Sequence, residues 1–63
     1  MTVTDNKVDQ IARQMLIQHG PRAALAAVDR LNECIDRGDW IGRDTWARVV
    51  RRIHEYQHSD LPG

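Results

Sequence analysis

Three histidines, one cysteine and a run of arginines are the residues whose types and spacing could do chemistry in this chain. His54 and His58 stand at i and i+4, a spacing that on a helix can present two ring nitrogens to zinc. A structural zinc site takes four ligands, and only Cys34 and His19 remain as good donors. His58 falls at the fraying end of its segment, so no metal site and no cofactor are expected. His19 closes a helix, where a cation meets the negative end of the dipole. No nucleophile or second titratable group stands beside it to make a general base. Cys34 lies on an apolar seam and reads as a small hydrophobe. A reactive thiolate calls for a helix N-terminus or a basic pocket. Cys34 is instead near a C-terminus, with Arg30 and Arg37 about a turn to either side. Gly38 and Gly42 stand between two helices rather than after a strand, so a phosphate-binding loop is excluded by context. These residues do not make an enzyme, and none is expected.

The arginines are denser. Residues 41–53 hold Arg43, Arg48, Arg51 and Arg52 against the single carboxylate Asp44. Arg48 and Arg52 share a face opposite Trp46, Val50 and Ile53, as a helix reading DNA would present to phosphates. Asp44 and Glu55 fall within pairing distance of Arg48 and Arg51, which favours a solvated, ion-paired face. Trp40 stands between glycines in an expected loop over residues 38–42. It serves there as a lid on the helices or as an aromatic anchor at an interface.

These residues must be positioned by a chain of 63 residues, enough for one small domain. Nine basic residues balance nine acidic ones, five of each in residues 1–38 and four of each in 39–63. Sequence-independent nucleic-acid binding needs a surplus of Lys and Arg, which is missing. A single cysteine rules out an internal disulfide and fits a reducing compartment, so a cytoplasmic location is expected. Ala23 to Val28 is the longest apolar run, far short of the roughly 20 residues that span a bilayer.

The helical period recurs three times and strand alternation is not sustained. The first helix is predicted over residues 5–19, with Thr4 or Asp5 as its cap and Val8, Ile11, Ala12, Met15 and Leu16 inward. Gly20 ends it and Pro21 opens a second helix over 21–37. That helix is apolar nearly all round at its start, which makes it the expected centre. Ala24, Val28, Leu31 and Ile35 form its core seam; Ala23, Ala27 and Cys34 form a second seam for another helix or another subunit. A third helix is predicted over 43–57, with Trp46, Val49, Val50, Ile53 and Tyr56 inward and an Asp44–Arg48 pair on its surface. The expected fold is therefore all-α, a three-helix domain over 5–57. Residues 1–4 are expected to be disordered and 58–63 a flexible tail.

The pattern Leu16-Ile17-Gln18-His19-Gly20, an alanine-rich helix, then Gly38-Asp39-x-x-Gly42-x-x-x-Trp46 resembles a family of short, uncharacterised bacterial proteins. The resemblance covers residues 8–57 and implies a small all-helical protein without implying an activity. Pro21 and Trp40 depart from the usual pattern, which has an acidic and a smaller apolar residue there.

So small an apolar set barely offsets conformational entropy, and self-association is expected to supply the rest. Function is read accordingly as a non-enzymatic interaction or regulatory protein acting as a homodimer or on a protein partner. Trp40, Ala23 and Ala27 are its candidate contact residues. The alternative is a small DNA-binding regulator using Arg48, Arg51 and Arg52.

Overall fold

Asp5–His19 forms α1, whose inward residues Val8, Ala12 and Met15 recur at steps of four and three. Gly20 closes it at φ 56°, a left-handed conformation that glycine adopts without steric cost. A single 3-10 turn, Gly20–Arg22, carries the chain directly into α2, Ala23–Arg37. Pro21 suits that turn because it has no N–H to satisfy there. A computed structural model describes residues 5–58 in this way, all but Asp39 in helices or turns. The expectations for residues 1–4 and 59–63 lie outside the described residues. His58 itself is described: its N–H reaches the His54 carbonyl at 3.0 Å and closes the last helix.

The α2 end and the start of α3, Trp40–Gln57, share a two-residue corner. Gly38 is left-handed at φ 71°, and its N–H donates to the Ile35 carbonyl at 3.1 Å. The Asp39 N–H donates to the Cys34 carbonyl at 2.8 Å, which completes a paired C-terminal cap. Asp39 then works in the other direction. Its Oδ1 accepts from the Gly42 N–H at 2.9 Å and its carbonyl accepts from the Arg43 N–H at 2.9 Å. One aspartate thus finishes one helix and caps the next.

This corner corrects the predicted boundary. The third helix starts at Trp40 rather than at residue 43, and the loop over 38–42 shrinks to Gly38 and Asp39. The reason is capping: Asp39 satisfies the first free amides, so helix propagates from the next residue. Asp44 then lies beyond the first turn and pairs with Arg43 at 3.1 Å instead of with Arg48.

The core is made by Val8, Ala12 and Met15 of α1, Ala23 and Ala27 of α2, and Val49 and Ile53 of α3. Ile53 and Val49 are its largest fully buried side chains, and α3 packs on both other helices more extensively than these pack on each other. The centre is therefore α3, not α2. The expected α2 core seam is also displaced. Ala23, Ala27 and Cys34 are buried, while Ala24, Val28 and Leu31 are half-buried and Ile35 is 44% exposed. Small residues let the α3 axis come close, and Ile53 and Val49 fill the space that larger α2 residues would need.

Candidate functional site

The fold leaves five large apolar side chains in solvent: Ile17, Leu25, Ile35, Trp40 and Ile41. Three of them flank the α2–α3 corner. Trp40 is 60% exposed, and the Arg43 guanidinium lies 5.4 Å from its ring centroid. Arg43 Nη2 also meets Asp44 Oδ1 at 3.1 Å. Trp40 and Arg43 thus form an exposed aromatic–cation pair with the Asp44 carboxylate beside the cation. Its i,i+3 spacing on a helix could have been read from the sequence once Trp40 was placed inside α3 rather than in a loop.

Ala23 and Ala27 do not belong to any such surface. Both are fully buried within the chain, so neither can meet a second subunit. Their seam is the internal contact, and the surface expected of them passes to the stripe one residue further on.

The predicted basic face does come together. Arg48, Arg51 and Arg52 line an open cleft of about 370 Å³ with Asp5 and Val8 of α1 and Glu55. Glu55 lies 4.0 Å from Arg51 and 3.9 Å from Arg52, which makes both pairs loose. Three guanidiniums are thus set against two carboxylates in one cleft, which leaves a weak positive field.

A polar cluster that sequence reading missed ties α1 to α3. The Tyr56 hydroxyl donates to Asp9 Oδ1, and Arg13 Nε donates to the Tyr56 hydroxyl at 3.2 Å. Arg13 Nε also meets Asp9 Oδ2 at 3.0 Å. The Tyr56 hydrogen bond, then the Asp9 charge, holds the Arg13 guanidinium above its usual pKa. The i,i+4 spacing of Asp9 and Arg13 was legible; the arrival of Tyr56 from 43 residues away was not.

Cys34 is buried, and an added Cβ on Gly42 would lie 2.8 Å from its sulfur. Its place is in the packing between α2 and α3. The His54 and His58 rings lie tilted against each other with centroids 4.2 Å apart, and among the described residues no three metal-type donors gather. Among the described residues no helix is long and apolar enough to cross a membrane. No protein family, no curated protein and no solved structure matches the chain.

Proposed function

We propose that this chain is a non-enzymatic interaction protein that acts by self-association or by binding a protein partner in the cytoplasm. The observation that carries the reading is the balance of large apolar side chains. Val8, Met15, Val49 and Ile53 are buried, whereas Ile17, Leu25, Ile35, Trp40 and Ile41 stay outside. Scattered apolar residues are ordinary on a surface. In a chain this small, five large apolar side chains left outside, three of them together at the α2–α3 corner, point to surface meant to be covered. Trp40 is the natural anchor, because fully desolvated tryptophans dominate binding energy at contacts. The resemblance to short bacterial helical proteins belongs to the same proposal and adds no activity to it.

The test is light scattering of the wild-type chain at micromolar concentration, with partner recovery from its native cell. Trp40→Ala is expected to weaken association or partner recovery at least about tenfold, as truncating an anchor does. A stable monomer that recovers no partner ends the reading, and a Trp40→Ala variant unchanged in both measurements removes Trp40 as its anchor.

DNA binding through the Arg48, Arg51 and Arg52 cleft stands second. The clustering of the three arginines supports it. Asp5 and Glu55 in the same cleft, and a net formal charge of zero, weigh against it.

A further inference from the structure

The last turn of α3 carries two imidazoles on one side of the helix. His54 and His58 stand four residues apart, so their side chains lie one above the other. Both residues are exposed, and their rings lie 4.2 Å apart between centroids with a tilt of 44°. Fraying of His58 is the ground on which the sequence argues against a metal here, and the fold removes it. The His58 N–H donates to the His54 carbonyl at 3.0 Å, so the helix holds through the second ring. Among the described residues, no hydrogen bond or ion pair engages either ring.

We propose that His54 and His58 together chelate a divalent late transition-metal ion such as Zn²⁺ or Cu²⁺, which clamps the C-terminal turn of α3. This goes beyond the interaction reading above and does not depend on it. Two imidazoles bound to one ion at about 2.0–2.1 Å, roughly 90–110° apart, set their ring centroids about 4.5–5 Å from each other. The observed 4.2 Å lies within about 1 Å of that, a change that small side-chain rotations of two exposed residues supply. Once one ring holds the ion, the second meets it as an intramolecular ligand, so the pair binds far better than either ring alone. Imidazole selects zinc, copper and nickel, whereas magnesium and calcium take oxygen ligands. Two protein ligands leave the other positions to water. The site is therefore exchangeable, unlike the closed four-ligand sites on which small domains depend for folding. The charges around the pair permit a cation. The C-terminus of α3 presents the negative end of its dipole. Arg51, three residues before His54, is the cation on that stripe. Its side chain is 84% exposed and its Nε lies 4.0 Å from Glu55 Oε2, so solvent and a carboxylate both offset its repulsion.

The experiment is calorimetric titration of the full chain with Zn²⁺ at neutral pH, with Mg²⁺ as the negative control. Histidine ring signals in NMR spectra locate the ion, and circular dichroism confirms that each variant stays helical. The wild-type chain is expected to bind about one Zn²⁺ and no Mg²⁺, with the rings of His54 and His58 shifting and that of His19 unmoved. His54→Gln and His58→Gln are each expected to weaken binding at least about tenfold, because either one leaves a single imidazole. The double variant should then lose little more than the first substitution does, since the chelate is already gone. His19→Gln should bind as the wild type does. That pattern supports the paired site. Both positions are exposed, so these variants leave the core in place. A wild-type chain that binds no Zn²⁺ at hundreds of micromolar overturns the proposal. So does a single variant that keeps full affinity, which would mean two separate one-histidine contacts. Binding that survives in the double variant places the ion elsewhere, on the Cys34 thiol or the terminal amine, and overturns it as well.

Discussion

Gly42 sits against Cys34 so closely that a Cβ on the glycine would lie 2.8 Å from the Cys34 sulfur and 2.5 Å from Asp39 Oδ2. Glycine is placed here by the approach of another helix, not by its backbone angle, since Gly20 and Gly38 alone of the described residues have positive φ. In an open helix, Gly→Ala gains about 1 kcal/mol. Here the sign is expected to reverse, and Gly42→Ala should destabilise by about 1–3 kcal/mol through overpacking. Urea unfolding measures it. Adding Cys34→Ala should recover part of the loss, because one of the two obstructions is then gone. A stabilised single variant would refute the close approach.

Asp39 serves two helices at once, so its removal should cost more than an average cap. Asp39→Ala is expected to lose about 1–2 kcal/mol, while Asp39→Asn, which keeps an acceptor for the Gly42 N–H, should lose little. Gly38→Ala tests the other half of the corner. It forces a Cβ into the left-handed region, and about 1–2 kcal/mol is expected to go. Equal stability of the Ala and Asn variants at position 39 would show that the side-chain cap contributes nothing.

Tyr56 joins α1 to α3 through its hydroxyl. Tyr56→Phe keeps the ring in place and removes the bonds to Asp9 and Arg13, so about 0.5–1.5 kcal/mol of stability should be lost. The Asp9–Arg13 contact survives in this variant, which limits the cost. Amide hydrogen exchange offers the sharper readout: protection should fall in α1 before it falls in the α2–α3 pair. Uniform loss across all elements would mean that the cluster does not hold α1 specifically.

The arginine cleft should not grip DNA. Asp5 and Glu55 offset much of the charge on Arg48, Arg51 and Arg52, so titrating duplex DNA at low salt is expected to show no saturable binding. Binding that appears at low salt, weakens at moderate salt and is lost in Arg48→Ala/Arg52→Ala would instead promote the regulator reading.

How much of this was legible in the chain can be judged element by element. The 5–19 span of α1 follows from Val8, Ile11, Ala12 and Met15 and from the Gly20-Pro21 stop, all of them local signals. The all-helical class follows for the same reason. The start of α3 was misplaced by three residues because Asp39 was read as part of a loop, although an aspartate after a glycine is also a cap signal. The arginine cluster was visible as helical spacing. The α1 residues that complete its cleft, Asp5 and Val8, were not.

Helical period, stops and caps act within a few residues, so the sequence alone determined the all-helical class of the described residues and the run of their helices, apart from the start of α3. It also showed two apolar stripes on α2, but took the bulkier one for the core. Tertiary structure decided that ranking. The bulkier stripe, Ala24, Val28, Leu31 and Ile35, looked like the core because size predicts burial when a helix is considered alone. The small stripe, Ala23, Ala27 and Cys34, became the core because it lets α3 approach and seat Ile53 and Val49. Which side of a helix is buried depends on how near its neighbour can come, and that distance is set by residues far apart in the chain.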